Sequence, residues 1–589
     1  MNGAAANGTL GNRTMRSALA ASALSCLLFL SPPVLADDGV DPSPTVRTAT
    51  GAYLAGRIAQ GRNDVSGAAR YTAQALASVP DSPELQARSF LLDLSAGNID
   101  RALQLVPSIL EVEPDNLLAH IVMAARDTRL DDPAGALEHL QGGLGDSVAQ
   151  YILPLLAGWS LADDGKFDAA IAAVEPMLAI QGMEGAALLH IGMIHDFAGD
   201  LTSARDAYES ALSLRQTYRL TQVLGRLYER VGEPENALTL YEGFDRDGGE
   251  QPLLARETER VRSGEVPEGP LFSAPEQGMA EALADLAGLW RREAAHDSAL
   301  IYAQLARYLR PDLGRATVIV ADILALRGRS GEALAIYREV PADHPFSWSS
   351  RMNEARMMDE LGDTDAAVVL LNAMARERPE AAAPLIRIGD IQRSERNFAE
   401  AVEAYDRAYA RQADQAANDW SFLYKRGIAL ERAKQWDLAE KDLLAAVALR
   451  PDYAHLLNYL GYSYIDRGEM VQESERLIRQ AVDLEPDDGF IIDSLGWVYY
   501  RTGRLDKAVE MLERAVELEP DDPTINDHLG DAYWMVGRRN EARFQWQRAL
   551  DSDTDDTDLI DQLNQKMAEG LVEHGVLADY VDQLKIKLD

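Results

Sequence analysis

Nine histidines and 95 aspartates and glutamates are the groups in this chain that could hold a metal or move a proton. A metal pair on a helix needs ligands three or four residues apart, so that both side chains leave the same face. His190 and His195 are five apart, and the other histidines are scattered. They read as structural side chains. Paired carboxylates could serve as general acid and base if their environments differed. The acidic runs fall instead where helices should begin, as in Glu519-Pro520-Asp521-Asp522, and there they stabilise helix starts while staying solvated. Neither a Gly-rich Walker-type phosphate loop nor a G-x-S-x-G elbow occurs. The lone thiol, Cys26, lies in an N-terminal apolar run, so there is no disulfide framework and no thiolate metal site. The expectation is no enzyme: no catalytic residues, no cofactor and no metal.

The charge balance narrows the partners. A net charge of −38 disfavours nucleic acid, whose phosphates need Lys and Arg to displace counterions. It equally disfavours anionic lipid surfaces and suits basic protein partners. The first 36 residues read as an export signal. Arg13 and Arg16 precede an apolar run from Ala18 to Leu30, and Ser31-Pro32-Pro33-Val34-Leu35-Ala36 forms a small-residue cleavage site before Asp37-Asp38. Met15 is an alternative start. A lipid anchor needs a small-residue box before a cysteine that ends the run. Here Leu27 to Leu30 continue past Cys26, so cleavage after Ala36 is favoured over lipidation. No transmembrane span is expected once the signal is removed.

The elements follow from a period of about 34 residues. Gly56, Phe90, Ala124, Gly158, Gly192 and Gly225 occupy one recurring position, and Ala68, Ala102, Ala136, Ala170, Ala204 and Ala237 a second. After an interruption the first position returns at Ala287, Ala321, Ala355, Gly389, Gly427, Gly461, Gly496 and Gly530, with steps of 34 except 38 before Gly427 and 35 before Gly496. The longer step is expected in a loop, RQADQAAND. Small residues at fixed offsets let two helices cross closely, as Gly496 and Ala508 would, while Leu495, Tyr499, Leu512 and Val516 fill the space between. Pro451, Pro486 and Pro520 end units. The expected organisation is a signal at 1–36, a flexible lead-in at 37–48, a lobe of six units at 49–243, a Gly-, Pro- and charge-rich linker or insertion at 244–278 with one irregular helix near Leu253–Val261, a lobe of eight units at 279–554, and a capping helix at 555–589.

This pattern resembles the tetratricopeptide (TPR) repeat family over nearly the whole mature chain. The resemblance implies an all-α superhelical solenoid of about 14 helix–turn–helix repeats in two lobes. In the C-terminal third, NYLGYSYIDRG and DDGFIIDSLGWVYYRTGRLDKAVEMLERAVELEPDDPTINDHLGDAYWMVGRRNEARFQWQRAL are similar to exported TPR proteins of proteobacteria. Some relatives are outer-membrane lipoproteins that act as adaptors, bringing murein hydrolases to carboxyl-terminal processing proteases. The resemblance therefore implies a periplasmic adaptor. The weak lipobox puts anchoring in doubt.

In that family, groove-facing positions lie on the first helix, three before the conserved Gly, one after it and four after it. They fall here on Asn458, Tyr462 and Ile465, on Asp493, Trp497 and Tyr500, and on Asp527, Asp531 and Trp534, with His455 one turn earlier. Such a strip would bind a basic or neutral apolar peptide, clamping its backbone through Asn458 and anchoring it on Trp497 and Trp534. Aromatic residues at helical spacing also pack between units, and acids are also simply solvated, so both readings stand for each residue. The functional expectation is a non-catalytic, protein-binding scaffold in the cell envelope that presents substrates to a protease. Alternatives are a cell-wall enzyme with a repeat scaffold and a self-assembling structural solenoid. Oligomeric state is not fixed by the sequence.

Overall fold

A computed structural model describes residues 48–143, 148–247, 252–552, 554 and 556–571. The export signal, nearly all of the lead-in, residue 555 and the capping segment beyond 571 lie outside the described residues. Among the described residues there are helices and no strands. Six antiparallel pairs run from Ala49–Gly61 with Val65–Ser78 to Tyr218–Arg230 with Pro234–Asp247. Eight more run from Pro275–Arg292 with His296–Leu309 to Pro523–Met535 with Arg539–Asp551. This is the expected all-α architecture of about 14 repeats. Helix Thr557–Glu569 then packs on Arg539–Asp551.

The period has a steric cause. A Cβ placed on Gly496 would sit 2.6 Å from Leu512, and one on Gly530 would sit 2.4 Å from the Trp546 ring. At Gly192, Gly225 and Gly389 the second helix seats Tyr208, Tyr241 and Tyr405 against the missing side chain, at 2.5, 2.2 and 2.6 Å. Those tyrosines are fully buried. An unpaired buried hydroxyl is costly, and while the Tyr208 hydroxyl has no partner among the described residues, the other two find one. Tyr405 donates to Asp390 at 2.7 Å and Tyr241 to Glu229 at 2.8 Å, and Trp546 Nε1 donates to Asp531 at 3.1 Å. The junction acids cap helices as expected. Asp488 accepts from the backbone N–H of Ile491 and Asp522 from that of Ile525, each at 2.9 Å, a contact that contributes about 1 kcal/mol.

Two departures are local. The long step before Gly427 contains a short helix, Ala413–Ala417, rather than open loop. Asp414 opens it and Ala416 is buried, so even this spacer has an apolar anchor. The irregular helix of the insertion runs Ala255–Ser263 and ends at Gly264, whose φ of +76° suits a residue without a side chain.

The chain divides into two compact units between Leu370 and Leu371, so the stretch 244–278 lies inside the first. One apolar core in that unit extends from Val65 to Met357. It forms because helix Pro275–Arg292 packs on Leu153–Asp163 and Glu184–Ala198, while His296–Leu309 packs on Pro83–Ser95 and Leu117–Arg129. Gly278 makes the approach possible, since a Cβ there would lie 2.3 Å from the Trp159 ring. In the second unit the first helices stand side by side: Gly489–Arg501 touches both Ala454–Arg467 and Pro523–Met535.

Gly225→Ala should lower unfolding free energy by about 1–3 kcal/mol, because Tyr241 cannot move without breaking its bond to Glu229. Gly243→Ala, in open space on the partner helix, should be neutral or slightly stabilising. Urea titration of both variants checks the contrast.

Candidate functional site

The first-helix face of the early repeats is already occupied. Trp159 Nε1 donates to His190 Nδ1 at 2.9 Å, and His190 Nε2 bonds Asp285 Oδ2 at 3.2 Å. Arg315 bonds Asp285 at 2.5 Å and Glu281 at 3.0 Å, and Arg219 bonds the other oxygen of Glu281. Glu281 is fully buried. Burial alone would raise the Asp285 carboxyl, but Arg315 and His190 hold it well below the usual carboxylate range. Asp285 and Glu281 stand on Pro275–Arg292, so this helix fills the face of repeats that carry Trp159, His190 and Arg219. The scattered histidines thus include one, His190, with a defined structural duty.

The last repeat is covered in the same manner. Lys566, on helix Thr557–Glu569, donates to Asp527 at 2.7 and 2.8 Å and to Asp531 at 2.9 Å. Both aspartates are buried, and Asp531 also accepts from Trp546. Trp534 lies 5.4 Å from Trp546, with Arg539 and Arg543 over its ring, and a Cβ on Gly570 would come within 2.2 Å of it. Asp527, Asp531 and Trp534 therefore have partners within the chain.

Between these covered ends, the face of the middle repeats in the second unit is half-open. Trp497 is sandwiched between Tyr500, at 4.7 Å and 9°, and His528, at 4.0 Å and 16°. His528 Nδ1 lies 3.0 Å from both oxygens of Asp493. Asn458, Tyr462 and Trp497 are half-buried, Ile465 and Tyr500 buried, and His455 exposed. Asn458 Oδ1, Trp497 Nε1 and the Tyr500 hydroxyl are buried atoms that no protein group bonds. Toward the N-terminal side the face continues through half-buried Tyr424 and Ile428. Tyr424 packs edge-on to Tyr453 and Tyr459 at 6.3 and 5.9 Å. These residues occupy the same offsets around Gly427, and carrying the pattern one unit back would have found them. His528 escapes that pattern because it lies two before Gly530, turned toward the preceding repeat. His455 comes near Glu485 and Asp488, at 3.6 and 3.9 Å, as a solvent-facing trio.

Segments 155–219 and 424–489 match the sequence profile described as tetratricopeptide repeat, and 496–537 matches that described as TPR repeat. The chain carries tetratricopeptide repeats. No curated protein matches it. Among solved structures, a thermophilic TPR protein of Thermus thermophilus is 23% identical over 32% of this chain and all of its own, with a TM-score of 0.29. A MamA structure is 27% identical, over 28% of this chain and 93% of its own, at 0.24. Cut9, in the APC/C hetero-tetramer Cut9–Hcn1, is 13% identical over 91% of this chain and 96% of its own, at 0.32.

The charge cluster beneath the terminal helix predicts a pH response. Burial pushes the His528 imidazole down, but Asp493, with Asp527 and Asp531 beyond it, pushes it up further, so its net shift is upward. Burial and Asp527 raise the Asp531 carboxyl, against Lys566. Both groups hold a proton more tightly folded than unfolded. Their stabilisation is present below the unfolded values, roughly 6.5 for His and 3.9 for Asp, and is lost as pH rises through the folded ones. Unfolding free energy of the second unit should therefore fall as pH rises through neutrality, and Asp493→Asn should flatten the part due to His528. Lys566→Met leaves two buried carboxylates without their cation and should cost about 3–5 kcal/mol, partly recovered by adding Asp531→Asn. Hydrogen exchange across 523–569 measures both effects.

Proposed function

We propose that the chain is an exported, non-catalytic scaffold that binds an extended segment of a partner protein along the half-open face from Tyr424 to Tyr500. The observation that carries this reading is the trio of buried polar atoms on Asn458, Trp497 and Tyr500 that no protein group bonds, next to half-open aromatic rings. A buried donor or acceptor without a partner costs about 1–3 kcal/mol. Local opening of the face lets a peptide backbone supply a carbonyl for the indole and an N–H for the amide oxygen, while its side chains pack on Tyr462 and against the edge of Trp497. The neighbouring carboxylates favour basic or neutral segments. The tetratricopeptide repeats, which in this family bind proteins, and the absence of any chain left over for a catalytic domain among the described residues support the scaffold reading.

Location and partner class belong to the same proposal. The run from Arg13 to Ala36 supports export to the periplasm, without a lipid anchor. The likeness of the 458–550 region to adaptor relatives supports a carboxyl-terminal processing protease, or a substrate brought to it, as the partner. That the chain's own helices cover Trp159 and engage Asp527 and Asp531 supports the middle of the second unit as its binding site.

Capture of partners from the cell-envelope fraction by the mature chain should return such a protease or a murein hydrolase. Trp497→Ala combined with Tyr462→Ala should reduce that recovery by about tenfold or more, as expected for an aromatic anchor. Equal recovery by the variant would move the site off this face. Deleting residues 1–36 should leave the protein in the cytoplasm on fractionation.

A further inference from the structure

A separate cavity lies in the first unit, where early and later repeats of the chain meet. It has a volume of about 690 Å³ and is bounded by helices Pro83–Ser95 and Ile99–Val112, the start of Leu117–Arg129, and by Trp290, Ile301 and Tyr302. That size falls within the roughly 300–1,000 Å³ typical of pockets that enclose a ligand. Phe90, Leu91, Ile109, Leu117 and Ile301 supply apolar wall. Trp290 and Tyr302 stack at 6.5 Å and 10° along the later-repeat side. Trp290 is only 6% exposed, and no protein group accepts from its indole N–H. Glu84, Glu113 and Asp115 also line the cavity and are exposed, and among the described residues no cation pairs with any of them.

We propose that this cavity is a second protein-binding site, which takes a short segment with bulky aliphatic or aromatic side chains flanked by lysine or arginine. The apolar walls accept the side chains and remove them from water. A shift of the wall lets a backbone carbonyl of the entering segment accept from the buried Trp290 indole. The three carboxylates, of which Glu113 accepts from Asn116 and none faces a cation, select basic flanks and speed encounter in a salt-dependent way. Neutral apolar small molecules match the walls but leave the carboxylates without a counterpart, and acidic segments are repelled by them. The site is independent of the face at Trp497. With both, one chain can hold two proteins at once, which a scaffold requires.

The probe is a fluorescein-labelled peptide with a Leu-Leu-Phe core between lysine pairs, titrated with the full mature chain and read by anisotropy. The control has the same core between glutamate pairs. The lysine-flanked peptide should bind about tenfold or more tighter than the control, a difference that shrinks as salt is added. Ala87→Trp, which projects an indole from the cavity wall, should weaken binding by about tenfold, and Glu84→Lys with Glu113→Lys, both exposed, should do likewise with the helical circular dichroism retained. Trp497→Ala should leave it unchanged. No binding, equal binding of the glutamate-flanked peptide, or full binding by both the Ala87→Trp and the charge-reversed chain overturns the proposal. Loss on Trp497→Ala alone also overturns it and assigns the peptide to the other face.

Discussion

The close crossing of two helices at a missing side chain is the contact on which everything else depends. At Gly192, Gly225, Gly389 and Gly530 it admits a whole aromatic ring, and at Gly427 and Gly496 a leucine. Neither helix of a pair could bury its apolar stripe alone, so the crossing sets the pair, and stacking of pairs supplies the core. Because successive pairs stack on one another, an error in register at one crossing would misplace every first-helix side chain beyond it.

The identity of the seated residue also decides what the first helix can offer to a partner. In three pairs the aromatic side chain seated at the crossing donates to an aspartate one place after the small residue, whereas Tyr241 reaches Glu229 and the buried Tyr208 hydroxyl has no partner among the described residues. Tyr337 bonds Asp322, Tyr405 bonds Asp390 and Trp546 bonds Asp531. Where leucine sits there, as at Leu443 and Leu512, the same place is free for Ile428 and Trp497. In those three repeats the position after the small residue serves internal satisfaction, and in the leucine repeats it is free for recognition. The half-open face of the second unit lies where leucine or isoleucine, at Leu443, Ile478 and Leu512, makes no such internal demand.

Two helices remove further stretches from the binding surface. Pro275–Arg292 brings Glu281 and Asp285 to Arg219, Arg315 and His190, and Thr557–Glu569 brings Lys566 to Asp527 and Asp531. In both places charge is buried only because the opposite charge arrives with the covering helix. These contacts connect residues far apart in sequence, so they hold a definite arrangement rather than a generic apolar association. They leave Trp159 as internal packing and Trp497 and Trp534 half-buried, although all three are tryptophans on first helices.

The helix pairs were legible in the sequence because they follow from short-range periodicity: small residues every 34 positions, acids at helix starts and prolines at unit ends. The candidate face was legible only in outline. Offsets around Gly461, Gly496 and Gly530 located first-helix positions, but offsets carry no information about which of those positions a distant helix will cover. Sequence by itself determined the all-helical repeat, the crossings and the acidic, nearly cysteine-free surface, since each is local or compositional. Tertiary structure alone decided that Lys566 engages Asp527 and Asp531, that His528 stacks on Trp497, and that helix Pro275–Arg292 fills the early repeats. Those contacts depend on where the stack brings remote segments together, and no local period encodes that distance.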